Sequence, residues 1–338
     1  MNMAKAKDKL PKNLSDGCRI CYQGAKLVLF ITGRCDRDCW YCPLSEERKN
    51  VDVIFANDEK ITTPEEAIPE AEVMDALGTG VTGGEPLLEL DRVVEFCTYL
   101  KNHFGPEHHI HLYTGHAPTE EELAALAPCV DEIRMHPPHE EWSTIMDSKF
   151  PESIANAKRM GFDVGIEVPS LPGLRHFFPL LDRLDFFNIN QLEWGDSCAD
   201  AMRERKLEPE NPLCNAIKGS TKWACEINGH PKVHYCTSTF KDSVQLRERL
   251  KRIARNSARP FDMITDDGTV MYGSMDPGND LEMILSCLKA GSYYEEMPDG
   301  TIEFDWQQMR KVPRKFGGER KIIERYPNDG MIVEVIPQ

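Results

Sequence analysis

No stretch of the 338 residues approaches the ~20 consecutive apolar side chains that carry a helix across a bilayer, which excludes a helical membrane span. Nor does an apolar core follow the four lysines of Met1 to Lys12, so no secretory signal is legible there. Twelve cysteines are too few for a disulfide scaffold in a chain of this size. They read instead as reduced, cytoplasmic thiols, some of them metal-binding. Positive charge is also scarce: 40 Lys and Arg against 56 Asp and Glu leave a net charge of −16. That balance disfavours nonspecific binding of nucleic acid or anionic membrane by the molecule as a whole. What remains is an ordinary globular composition, 41% hydrophobic and 28% charged, long enough for one large domain and a small one.

Three thiols stand close together. Cys35, Cys39 and Cys42 have the spacing Cys-x3-Cys-x2-Cys and follow the apolar run Ala25 to Gly33, a buried strand leading into a loop. Thiols so spaced can converge on one metal centre but leave it one protein ligand short. Structural zinc takes a closed set of four ligands, whereas an iron–sulfur cube held by three thiolates keeps one iron free for a small molecule. Zinc completed by a distant fourth ligand stays open on the spacing alone. A second motif, Thr82-Gly83-Gly84-Glu85-Pro86, ends another short apolar segment. Paired glycines admit a ligand close to the backbone, and the carboxylate beside them can accept hydrogen bonds from an amino group. By itself the same sequence would make an ordinary turn.

Together, the cysteine loop with Tyr41 before its last thiol and Gly83-Gly84-Glu85-Pro86 resemble the radical S-adenosylmethionine superfamily. The resemblance implies a [4Fe–4S] cluster on Cys35, Cys39 and Cys42, whose free iron chelates the amino and carboxylate groups of S-adenosylmethionine. Reduction would split the sulfonium into methionine and a 5′-deoxyadenosyl radical that abstracts hydrogen from a substrate. Gly83, Gly84 and Glu85 would position the methionine end of the cofactor, Tyr41 would lie near its adenine, and a reduced ferredoxin or flavodoxin would supply the electron. The run Gly24 to Leu44 is more narrowly similar to archaeal proteins described as iron–sulfur oxidoreductases related to the pyruvate formate-lyase activating enzyme. That group implies anaerobic chemistry and leaves the substrate unidentified.

From Ala25 onward, strand-like and helix-like segments alternate. Strands are expected at 26–32, 79–82, 108–114, 131–136, 163–169 and 186–193, with helices at 64–77, 90–103, 118–127, 151–160 and 173–184. Six such repeats predict an α/β fold, a partial (β/α)6 parallel barrel, with its chemistry at the C-terminal ends of the strands. Both motifs fall there. Side chains alternate faces along a strand, so about half of the polar residues near those ends can point inward. By analogy with the superfamily, Glu167 and Asn188 are the candidates to hold the ribose and amino-acid parts of the cofactor. His136-Pro137-Pro138-His139 reads either as an acid–base or metal pair or as a rigid loop, and proline stiffness favours two imidazoles held apart.

The expected division is a 1–24 extension, a 25–197 barrel, a 198–259 linker with cysteines and a basic helix, and a small α+β domain at 260–338. In the last, Asp266-Asp267-Gly268, Pro298-Asp299-Gly300 and Asn328-Asp329-Gly330 read as hairpin turns, with a helix at 280–289. Cys18-x2-Cys21 has ligand spacing of its own. With Cys214 and Cys236, and His234 as a substitute, it makes a candidate second site for zinc or an auxiliary iron–sulfur cluster. If residues 25–32 form one strand, Cys21 falls some ~25 Å from Cys35, which makes that site a clasp or a remote relay.

Lys241 to Arg259 carries seven basic and two acidic residues. It reads as a solvated helical face or as a patch for phosphates on RNA, a nucleotide or a lipid. Three enzyme classes stay open. A glycyl-radical activase resembles the front half but generally needs neither the C-terminal domain nor Cys18-x2-Cys21. A tRNA-modifying enzyme would use the basic helix, and a protein- or peptide-modifying enzyme would use the late cysteines. A zinc-binding adaptor is the rival from outside catalysis, and Gly83-Gly84-Glu85-Pro86 speaks against it.

Overall fold

A computed structural model describes residues 14–211, 214–227 and 229–338. The lysine-rich start, on which the absence of a signal was read, lies outside the described residues. The chain forms two compact units. One holds 76–245 and the described residues up to Glu72, and the other holds Val73–Asp75 and Leu246–Gln338. The break after Gln245 comes earlier than the boundary at 259/260 expected from the basic run.

The first unit is an α/β layer structure around a mostly parallel sheet. Its strands are β1 (Lys26–Phe30), the hairpin β2 (Ile54–Ala56) and β3 (Glu59–Ile61), β4 (Gly78–Thr82), β5 (His109–Thr114), β6 (Glu132–Met135), β7 (Asp163–Pro169) and β8 (Phe186–Asn190). A short ribbon, β9 (Pro209–Asn211) and β10 (Cys214–Ile217), precedes β11 (Val233–Cys236). The order is β11-β8-β7-β6-β5-β4-β1-β2-β3, parallel from β11 to β1 and antiparallel where the hairpin joins. All six expected strands are present. β11, a seventh parallel strand, lies where a linker was expected, because it follows the β9–β10 ribbon rather than a regular strand–helix repeat.

Helices follow the strands for local reasons. α1 (Asp16–Tyr22) starts at Ser15, whose hydroxyl accepts from the Cys18 N–H, and α2 is Ala67–Val73. α3 (Leu90–Phe104) buries Val93, Phe96, Cys97 and Leu100, the one-faced spacing of an amphipathic helix, and ends at Gly105 with φ +92°. α4 (Glu120–Leu126) carries a capping box between Thr119 and Glu122. α5 (Phe150–Arg159) and α6 (Phe178–Leu181) each start with a proline in the first turn.

The described part of the N-terminal extension is the helix α1. The Gly17 N–H donates to Glu132, and Ser15 bonds both Glu132 and Arg134. Only glycine fits at position 17: a Cβ there would lie 2.5 Å from the Arg134 guanidinium and 2.6 Å from the His111 ring.

The second unit holds the sheet β14 (Tyr294–Glu296), β15 (Ile302–Phe304), β13 (Val270–Met275), β16 (Arg320–Arg325) and β17 (Ile332–Pro337), with β12 (Met263–Ile264) paired to β13. The three expected turns join β12 to β13, β14 to β15 and β16 to β17, each pair antiparallel. Helices lie at Arg247–Ser257 and Leu281–Cys287. Met275, Ile284, Ile302, Phe304 and Met309 form the core. Among the described residues no helix is long and apolar enough to cross a membrane.

Candidate active site

At the C-terminal strand ends of the first unit lies a cavity of about 360 Å³. Cys35, Cys39, Cys42 and Tyr41 line it from the loop after β1, and Gly83, Gly84 and Glu85 line it from the turn after β4. The sequence motifs therefore meet in one place. The loop is pinned on several sides: Arg37 donates to Glu141 and to the Gly115 carbonyl, Arg34 pairs with Glu89, and the Ser197 hydroxyl donates to the Cys42 carbonyl. The Arg37 N–H donates to the Cys35 sulfur at 3.4 Å. Burial pushes the Cys35 and Cys39 thiols up.

The glycine pair has a structural task that the sequence did not disclose. The Gly84 and Glu85 N–H groups donate to the carbonyls of Thr32 and Arg34, each at 2.7 Å. A Cβ at Gly83 would lie 2.4 Å from the Thr32 oxygen, and one at Gly84 2.3 Å from the Arg34 oxygen. These glycines let the turn after β4 press against the lead-in of the cysteine loop. Gly84→Ala should displace that loop, lower iron loading several-fold and cost about 1–3 kcal/mol by overpacking. Iron per chain and the thermal midpoint check it, and a variant with normal loading would show the close approach to be dispensable.

Glu85 is fully buried. Its Oε1 accepts from the Leu87 N–H and the Thr114 hydroxyl, and its Oε2 accepts from the Gly115 N–H at 2.6 Å. Burial raises its pKa, against His116 and these three donors. With two acceptor positions per oxygen, one remains on Oε2.

Tyr41 and His136 form a pair at 3.0 Å. The His136 Nδ1 lies 2.8 Å from the Glu167 carbonyl, which can only accept, so Nδ1 carries the proton and Nε2 accepts from the Tyr41 hydroxyl. Burial lowers the His136 pKa, which keeps the ring neutral. His139 points elsewhere, onto Trp142 and the Pro172 carbonyl, so the two imidazoles are held apart as the prolines imply.

Beneath the cavity runs a buried charge network. Arg134 donates to Glu132 at 2.5 Å and to Glu167 and Tyr113 at 2.6 and 3.1 Å. Glu167 also accepts from Asn188 and Asn190. Burial alone would raise the Glu167 pKa, but Arg134, the two amides and Lys26 hold it down at about 2. Glu167 lines the cavity, as the analogy anticipates. Asn188 does not: its amide is directed to Glu167 and to the Cys18 sulfur, and Asn190, two residues on and on the same strand face, reaches the cavity instead. Lys241 also lines it, paired with Glu193 at 2.9 Å. Sequence reasoning missed Lys26 and Lys241. A lysine inside the otherwise apolar β1 was the available signal for the first.

The second group of cysteines divides. Cys18, Cys21, His234 and Cys236 line another cavity of about 250 Å³. Cys214 does not join them, because it sits on β10, where its sulfur accepts from the Ala216 N–H. The distance of ~25 Å assumed an outstretched extension. α1 instead folds under the sheet, and Tyr113, Glu167, Asn190 and Lys241 line both cavities.

Among the described residues, only His109, His111 and Glu132 bring three ligand-type atoms within 4.8 Å of one another. Glu132 is there already engaged by Arg134, Ser15 and Gly17. Two arginines of the basic run are held within the second unit. Arg252 donates to the carbonyls of Met74 and Asp75, and Arg259 pairs with Asp262, Glu295 and Glu303.

A family profile described as the Radical SAM superfamily matches residues 29–175, and a domain of unknown function matches 268–337. A Methanocaldococcus jannaschii protein named as a candidate glycyl-radical enzyme activating enzyme is 38% identical over 98% of this chain and 93% of its own length. Streptococcus suis SuiB bound to S-adenosylmethionine aligns at 15% identity over 63% of this chain and 50% of its own, with a TM-score of 0.38, a likeness too slight to bear on the site. The chain belongs to the radical S-adenosylmethionine superfamily and is an enzyme related to the activating enzymes of glycyl-radical enzymes.

Proposed function

We propose that this enzyme installs a radical on a protein substrate, a glycyl-radical enzyme, using a [4Fe–4S] cluster held by Cys35, Cys39 and Cys42. The observation that carries the reading is the convergence of these thiols and Glu85 on one open cavity at the strand ends. Among the described residues no three ligand atoms there lie within 4.8 Å of one another, which suits a polyatomic cluster better than a single zinc ion. When bound and reduced, the cluster supplies the electron that splits S-adenosylmethionine into methionine and a 5′-deoxyadenosyl radical.

The protein's own part is positioning and exclusion of water. The backbone of Gly83 and Gly84, held in place by the buried Glu85 carboxylate beside them, would take the cofactor's amino group. Tyr41, its hydroxyl anchored on neutral His136, would flank the adenine. Glu167 and Asn190 would face the ribose, while Asn188 supports Glu167 from below. We read the parallel strands as a partial barrel, since residues near the ends of β4 to β8 line one cavity. A reduced ferredoxin or flavodoxin would be the electron donor.

The activase reading draws on the relative's name and on a match through the whole length, which takes in the C-terminal unit that had argued against it. An RNA substrate rested on Lys241 to Arg259, and the engagement of Arg252 and Arg259 within the protein removes much of that support. The test is anaerobic. The reduced, reconstituted protein should form 5′-deoxyadenosine from S-adenosylmethionine, and a glycyl-radical enzyme added as substrate should acquire a backbone radical visible by paramagnetic resonance. Cleavage of S-adenosylmethionine with no radical on any glycyl-radical enzyme offered would keep the radical chemistry and overturn the activase reading.

A further inference from the structure

Below the first cavity, α1 and β11 present two ligand pairs to each other. Cys18 and Cys21 are three residues apart on one helix face, and His234 and Cys236 are two apart on one strand face. Ring contacts of Tyr22 with His234 at 5.8 Å and with Phe240 at 4.0 Å bring the helix and the strand together. All four ligand-type residues line the same cavity of about 250 Å³.

Two further observations bear on what fills it. No three of those sulfur and imidazole atoms lie within 4.8 Å of one another, which is wide for one ion. Lys26, Arg134 and Lys241 also line the cavity; Glu132 and Glu167 answer Arg134 and Glu193 answers Lys241, and Lys26 adds a further cation beside the thiols, so the site can take an anionic occupant such as a thiolate-bound cluster. The Asn188 amide already donates to the Cys18 sulfur at 3.2 Å, the kind of hydrogen bond that tunes an iron–sulfur centre.

We propose that Cys18, Cys21, His234 and Cys236 hold a second iron–sulfur centre, closed by four protein ligands and separated from the first cavity by one layer of side chains. That layer is Tyr113, Glu167, Asn190 and Lys241, which face both cavities. The second centre is therefore a neighbour of the reaction chamber. It has no open position for S-adenosylmethionine, and its place suits an electron store or relay.

The experiment is anaerobic reconstitution with iron and sulfide. The variant Cys35→Ala, Cys39→Ala, Cys42→Ala should keep iron, sulfide and visible iron–sulfur absorption, and adding Cys18→Ala with Cys21→Ala should remove them. In the wild-type background, Cys18→Ala with Cys21→Ala should lower bound iron by roughly half if both centres are cubes. A colourless triple variant that is folded by circular dichroism would overturn the proposal, as would one zinc per chain in place of iron. Should the triple variant not fold, unchanged iron per chain in Cys18→Ala with Cys21→Ala in the wild-type background would overturn it equally.

Discussion

Cys39→Ala is expected to abolish formation of 5′-deoxyadenosine, lowering it by at least about a thousandfold, on the order of 4 kcal/mol in barrier. Three thiolates are the fewest that hold a cube with one iron free, and the loop offers no spare. Cys198 is nearby in the fold, within 3.2 Å of where a Cβ at Gly195 would stand, but it does not line the cavity, and its thiol donates to the Gly195 carbonyl. It should not replace Cys39, and Cys198→Ala should keep both iron and activity. Iron, sulfide and 5′-deoxyadenosine measured on the two variants decide the matter. Full activity in Cys39→Ala would remove the loop from the chemistry altogether.

Arg134→Met should be among the most destabilising single changes, costing about 3–5 kcal/mol. Arg134 is 2% exposed, and its guanidinium sits between the carboxylates of Glu132 and Glu167. Its loss would leave two buried charges without their cation, and methionine fills much of the volume, so the missing charge dominates the cost. The pH dependence gives a second readout. The Glu167 pKa is depressed in the folded protein from the ordinary 4.5 to about 2, worth about 3 kcal/mol. That stability is present above the unfolded value of 4.5 and is lost as pH falls towards 2. In Arg134→Met, burial without the guanidinium should push both carboxyls up, so the variant regains stability on protonation while the wild type loses it. Urea unfolding should therefore show a wide gap near pH 7 that narrows near pH 4; an equal gap at both would show that charge burial is not the cause.

The order of strands and helices in the first unit was legible because apolar strand segments and helix-period segments alternate regularly from Ala25 onward. β11 was not: it follows the β9–β10 ribbon, outside the regular alternation, and only pairing to β8 makes it part of the sheet. The cysteine loop and Gly83-Gly84-Glu85 were legible as chemistry because ligand spacing is local. Why both glycines stand there was not, since the carbonyls that a Cβ would strike belong to Thr32 and Arg34, some fifty residues earlier in the chain. Likewise Asn188 and Asn190 are alike in sequence, yet Asn190 reaches both cavities and Asn188 only the one beside α1, where its amide meets the Cys18 sulfur. The sequence by itself thus determined the superfamily and the succession of the six expected parallel strands, and it singled out the cysteine loop and the glycine turn that meet in one cavity. The tertiary structure alone decided which thiols share a cavity and which charges are buried, because both depend on contacts between residues on different elements of the fold, such as Arg134 with Glu167 and Asn188 with Cys18.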